Sequence, residues 1–395
     1  MAIAEAAGWL RGGRDLRIDL LRGYAIFAMT VDHTGGASSW LYALSGGDRF
    51  YVSAAEGFVF LSGVVAGMVY GPRAERLGGA ASIKLLKRAG VIYLWTIAMA
   101  FIEPLTAAAL GLGWDNPLAR TSLPEYFIGV ITLRHVYHLS EVLLLYALLF
   151  SVAGLIIVWM VDGETKWVLL ASWFVWAVWQ TSTDYPAPWD LEALTVFQFA
   201  AWQALFVTGL AAGIHREQLL ARLNKRSLRI HLAAGGLGLA GCIVAYQLRA
   251  VNRTFGADGA SHILSKSDLG AGRLVVFAFL AMFAFALVTF GWRWLQSALG
   301  WLLLPLGQNA LAAYILHVGV VLVLARIGLA VFGGARTPEQ NALLQGLGVL
   351  TLWALIRGLL TVRSWAAAPL GDMPGWGEQG DALPAPVVSL RQLHV

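Results

Sequence analysis

Apolar runs long enough to cross a lipid bilayer recur throughout this 395-residue chain and limit what it can fold into. A spanning helix needs roughly 20 mostly apolar residues. Ten stretches qualify: residues 18–36, 54–71, 89–112, 139–161, 166–182, 195–213, 231–249, 271–291, 301–325 and 342–362. Apolar residues make up 58% of the chain and charged residues only 13%, against roughly 25% charged in soluble domains. The 17 Trp suit a protein with two headgroup interfaces. The expected fold class is all-α, a polytopic membrane helix bundle of about ten transmembrane helices embedded in the lipid bilayer. A soluble enzyme, a nucleic-acid-binding domain and a disordered scaffold are poor readings. The net charge of +5 does not call for nucleic acid, because cytosolic loops of membrane proteins are themselves basic.

The same rule sets the expected orientation. With the N-terminus inside, Arg11, Arg14, Arg17, Arg73, Arg76, Lys84, Lys87, Arg88, Arg216, Arg222 and Lys225 are among the cytosolic residues. Outer segments then hold about half as many Lys and Arg, so both termini are expected in the cytosol. Pro104 should kink the third span. Residues 363–395, with Pro, Gly and scattered charge, read as a loosely ordered cytosolic tail. Cys242, the single cysteine, excludes an internal disulfide. Residues 1–17 lack an uninterrupted apolar stretch, so no cleavable signal peptide is expected.

Ionisable groups inside spans are costly and are functional candidates by default. Arg22 and His33 in the first span are eleven residues apart, about three turns plus 20° and roughly 16 Å along a helix. One stripe therefore carries a cation near the inner surface and an imidazole deep in the bilayer or beyond its middle. Asp19 is placed to pair with Arg22. Asp32 cannot share a face with its neighbour His33. The bland alternative is a snorkelling Arg and a His bonded to another helix. In the second span Gly63 and Gly67 allow close approach of a helix, Ser62 fits a bond to its own helix backbone better than a nucleophile, and Glu56 reads as a solvated outer-end acid.

Lys84, Lys87 and Arg88 fall on one helical face. They are either ordinary inner charge or a cradle for phosphates. His135, His138 and Glu141 begin the fourth span; their spacing and the lack of a fourth ligand point away from metal, toward a polar cluster at the outer mouth. Gln198, Gln203, Gln308, Asn309 and His317 read as interhelical hydrogen-bonding groups, His317 as structural.

These residues also carry a resemblance. Arg17-Ile18-Asp19-Leu20-Leu21-Arg22-Gly23 through Asp32-His33 resembles the opening signature of type 3 membrane acyltransferases, and Phe58–Gly63 with Lys84, Lys87 and Arg88 resembles the motifs that follow it. Leu139–Tyr146, Phe199–Phe206 and Gly307–Leu311 are similar to the OpgC branch, succinyltransferases of osmoregulated periplasmic glucans, with Glu141 where Asp is expected. The resemblance implies an acyltransferase domain over residues 1–362 in the cytoplasmic (inner) membrane. It would move a succinyl or acetyl group from cytosolic acyl-CoA, a substrate and not a resident cofactor, to a hydroxyl of an extracytosolic glycan. It implies His33 as general base or transient acyl carrier, with Arg22, Asp32 and Glu141 as further catalytic residues. Arg22, Lys84, Lys87, Arg88 and Ser62 would bind acyl-CoA; His138, Gln203, Gln308 and Asn309 would bind the acceptor; no metal is expected. The rival class is a transporter or channel for a small anion or glycan, which the missing internal repeat disfavours. A structural subunit without chemistry leaves the polar residues in the spans unexplained.

Overall fold

The computed structural model describes residues 8–11, 14–35, 39–45, 51–114, 116–181, 191–334 and 336–367. A short hairpin, β1 (Leu10–Arg11) with β2 (Arg14–Asp15), leads into α1 (Leu16–Gly35). Then come α2 (Trp40–Leu44), α3 (Ala54–Leu77), α4 (Gly79–Ala109), α5 (Leu123–Ile131), α6 (Glu141–Trp159) and α7 (Thr165–Thr181). They are followed by α8 (Phe199–Ile214), α9 (Arg216–Ala221), α10 (Lys225–Gln247) and α11 (Ala250–Ile263). The last four are α12 (Ala271–Phe290), α13 (Trp292–Gln308), α14 (Ala310–Phe332) and α15 (Pro338–Ala367). The chain is a helical bundle. Among the described residues, seven segments are long and apolar enough to cross a membrane. One of them, His138–Thr181, holds both α6 and α7 around a kink at Gly163 (φ 102).

α1 is not among the seven, because Arg17, Asp19, Arg22 and Asp32 make it polar. It is enclosed instead. Ile26, Ala28 and Val31 are at most 1% exposed, and α3, α13 and α14 pack against it. This wrapping buries Arg17 and Asp19, at 2% and 4% exposed, shelter that a charged group in an apolar setting requires. On α3 the Gly63–Gly67 spacing finds its partner in α8. A methyl on either glycine would overlap the carbonyl of Phe206 or Leu210, and one on Gly209 or Gly213 that of Phe60 or Val64. The two backbones touch directly.

The expected span 301–325 is not one helix. Asn309 breaks it at ψ 36, and its side-chain amide donates to the Pro305 carbonyl at 2.9 Å. Trp292, Leu295 and Leu303 join Leu16 and Leu20 in one apolar cluster, while Gly307 lies against the Asp19 backbone. Both ends of α13 thus meet the first turns of α1, so α13 crosses α1 and the long helix beyond the break is α14. Glu56 is a second correction. It is fully buried, Nε of Arg273 donates to it in an ion pair, and the Ser53 N–H and hydroxyl each donate to it at 2.9 Å.

These pairings define two ends. Arg17, at the start of α1, donates to Thr289, near the end of α12, at 3.0 Å. Glu56 and Arg273 join the starts of α3 and α12 at the other end. Below, the first is the basic end and the second the histidine end. Residues up to Ile356 form one compact unit. Of the expected tail, residues 363–367 continue α15, and 368–395 lie outside the described residues.

Candidate active site

Because α1 is one continuous helix, Arg22 and His33 share a face as their spacing requires. At the histidine end His33 meets α14. Its Nδ1 lies 3.0 Å from Nε2 of His317, and Nδ1 of His317 lies 2.6 Å from the Tyr314 carbonyl oxygen. A carbonyl only accepts, so in the neutral pair the proton of His317 is on Nδ1 and its Nε2 holds a lone pair. His33 must then donate from Nδ1. That leaves Nε2 of His33 unprotonated, its lone pair available to accept a proton. His317 is 1% exposed, whereas His33 is exposed.

His33 lines a cavity of about 580 Å³ together with Phe58, His138, Glu141, Lys266 and Tyr314. Two buried carboxylates hold its walls. Glu141, the first residue of α6, accepts from the backbone N–H groups of Val196 (2.6 Å) and Phe197 (2.8 Å) and from the Thr195 hydroxyl (3.1 Å), which pins that part of the wall. Glu103 on α4 accepts from the Leu139 N–H (3.2 Å) and the Ser140 hydroxyl (2.9 Å) and pairs with His138 at 3.6 Å. It thereby fixes the single turn His138–Ser140.

At the basic end Arg22 lies within electrostatic reach of Asp19, Tyr146 and Arg88. Its Nε is buried with no hydrogen-bond partner among the described residues, a donor that a bound anion would satisfy. Tyr146 on α6 faces Ser62 on α3. On α4 Leu85, Ala89 and Ile92 are buried while Lys84, Lys87 and Arg88 are exposed. The Arg88 guanidinium sits 5.9 Å from the Phe150 ring centroid. A series of rings joins the two ends. Tyr146 lies 5.4 Å from Phe58, Phe58 is 6.2 Å from Tyr314, Tyr314 is 4.8 Å from His317, and His317 is 5.3 Å from His33.

Several expected site residues are held by other partners or stand away from the cavity. Asp32 lines the cavity but accepts from the Ser45 hydroxyl at 2.7 Å. Gln203 joins α7 to α8: its amide donates to the Ser172 and Ala200 carbonyls at 2.8 and 3.0 Å and accepts from the Ser172 hydroxyl at 2.6 Å. Gln308 and Asn309 stand at the α13–α14 break beside the start of α1. These three amides are not brought to the His33 cavity, because nearer backbone partners or the helix break hold them. His317, Glu103, Tyr146 and Lys266 enter the site without having been read as functional in the sequence.

Fold and site together define a class: a multi-pass membrane helix bundle whose enclosed first helix links a half-buried arginine to a histidine pair. Set against known families, residues 14–362 match the family described as OpgC protein, and the chain belongs to that family. No curated protein and no solved structure matches this chain.

Proposed function

We propose that this protein is a membrane O-acyltransferase that moves a succinyl or acetyl group from cytosolic acyl-CoA to a hydroxyl of an extracytosolic glycan. The observation that carries the reading is the His33 imidazole, oriented by His317 with its Nε2 lone pair unused at the wall of a cavity. Membership of the OpgC family supports the reaction class. In this reading the acceptor hydroxyl gives its proton to Nε2 of His33 as its oxygen bonds to the thioester carbonyl carbon. The C–S bond then breaks, and the CoA sulfur leaves with the proton returned by the imidazolium. Arg22, Arg88, Lys84 and Lys87 hold the phosphates of CoA at the basic end, and the aromatic series from Tyr146 to His317 accommodates the slender arm between phosphates and thioester. His138 and Lys266 face the acceptor. The spans are α1, α3, α4, α6, α7, α8, α10, α12, α14 and α15, with the basic end and both termini cytosolic and the bundle in the cytoplasmic membrane.

The test is incubation of purified protein with succinyl-CoA and acetyl-CoA separately, each with a glucan. Release of CoA matched by acylated glycan is the expected result. Movement of a glycan or anion across a vesicle membrane without consumption of acyl-CoA would replace this reading with a transporter.

A further inference from the structure

Beside the His33 cavity lies a second one of about 570 Å³, and His135, Val136 and His138 line both. The other walls of this second chamber include Trp114, Tyr126, Tyr137 and Thr121, none of which has a part in the chemistry above. The partition between the chambers is firmly built. Leu133 and His138 hold positive φ angles of 60 and 35, conformations that a non-glycine residue keeps only where its neighbours enforce them. Here the N–H groups of Arg134 and His135 donate to the Gly129 carbonyl at 2.8 and 3.1 Å. Glu103 clamps the turn that follows. The His138 ring lies 5.3 Å from Trp114 and 6.2 Å from Tyr137, and His135 lies nearly parallel to Tyr126 at 6.3 Å.

We propose that this aromatic chamber is a glycan subsite, which holds the sugar unit next to the one presented to His33. A pyranose has C–H faces that lie flat on aromatic rings and a rim of hydroxyls that takes hydrogen bonds, the mixed chemistry these walls supply. A unit whose hydroxyl meets His33 has its neighbour one ring away, and a chamber sharing three wall residues with the His33 cavity is where that neighbour falls, the link between the two units passing over the exposed His138 ring that edges both. The half-buried Trp114, tilted against the dividing His138, is the platform. The subsite makes the enzyme selective for oligosaccharide over monosaccharide acceptors. This inference rests on the acyltransferase reading for its purpose but not for its binding test.

The experiment uses the full-length protein in lipid nanodiscs and a ladder of linear gluco-oligosaccharides starting from glucose. Calorimetry without acyl-CoA should show affinity rising once a second unit is present. Trp114→Ala should remove that gain, roughly tenfold, and leave glucose binding unchanged, while Trp114→Phe keeps most of it. In transfer assays Trp114→Ala should raise KM for the longer acceptors by about the same factor with kcat unaltered. Affinity independent of length, or an equal loss for glucose and the longer sugars, overturns the subsite. Length-dependent binding that Trp114→Ala abolishes supports it even where no acyl transfer follows, an outcome that overturns only the acyltransferase reading.

Discussion

Replacing His317 with Phe removes the acceptor of the His33 Nδ1–H while filling the same buried volume. The free imidazole can then rotate and place its proton on Nε2, the nitrogen that must be empty to take a proton from the acceptor. Loss of a partner that orients and fixes the tautomer of a working histidine costs roughly 10–100-fold or more, so kcat should fall by about 100-fold, or about 2.7 kcal/mol of barrier. KM for acyl-CoA should stay put, because Phe keeps a ring at the end of the aromatic series and the phosphate-binding cations stand at the other end. The Tyr314 carbonyl keeps its backbone bond within α14 but loses its side-chain donor, which lowers stability by about 0.5–1.5 kcal/mol. Thermal unfolding in detergent measures that effect separately. Steady-state acyl transfer by monodisperse wild type, His317→Phe, His33→Ala and the double variant makes the decision. His33→Ala alone should lose about 10²–10⁴-fold, and the double variant should lose no more, since His317 acts through His33. If His317→Phe keeps near-normal kcat, or the two losses multiply, the pair is a packing contact and the assigned tautomer has no bearing on catalysis.

Three further outcomes are expected. Arg88→Glu combined with Lys84→Glu should raise the acyl-CoA KM on the order of tenfold with little change in kcat; an unchanged KM would make the cluster ordinary topological charge. Arg273→Met should destabilise the protein by about 3–5 kcal/mol, because it leaves the Glu56 carboxylate buried and unpaired, and adding Glu56→Gln should recover most of the loss. Equal unfolding temperatures for the single and double variants would contradict this. Cysteines introduced near Arg120 and Arg253 should react with an impermeant reagent applied from outside, and those near Arg76 and Lys225 should not; the opposite labelling pattern would invert the topology.

What the sequence disclosed was local. The α1 stripe from Arg22 to His33 depends only on helical geometry, and the Gly63–Gly67 spacing announces a close helix contact without naming α8 as the partner. What it hid required two distant segments at once. Glu56 looked solvated until Arg273 of α12 was brought beside it. His317 was read as structural, although an imidazole one turn after Tyr314 in an apolar span is the kind of costly group that marks a site; its role follows only from the meeting with His33. Hydropathy carried the expected span 301–325 straight across Asn309, because neither the backbone break nor the packing of Gly307 on α1 alters the apolar count. The amides of Gln203, Gln308 and Asn309 were grouped with the acceptor by resemblance, whereas folding placed them at a helix contact and a helix break.

The shelter around α1 has a consequence for how the protein is made. α1 leaves the ribosome before every other described helix, yet each charged residue at a helix centre opposes membrane insertion by about 2.5–3.5 kcal/mol. Its enclosing partners α13 and α14 are encoded far downstream, with His317 separated from His33 by 284 positions. At a synthesis rate of roughly 5–20 residues per second, that leaves an interval of roughly 15–60 s. During it Arg22 and Asp19 have only α3, the hairpin Arg14 and whatever the insertion machinery offers. α1 is therefore begun early and completed late, and the imidazole pair cannot exist in a nascent chain that ends before α14.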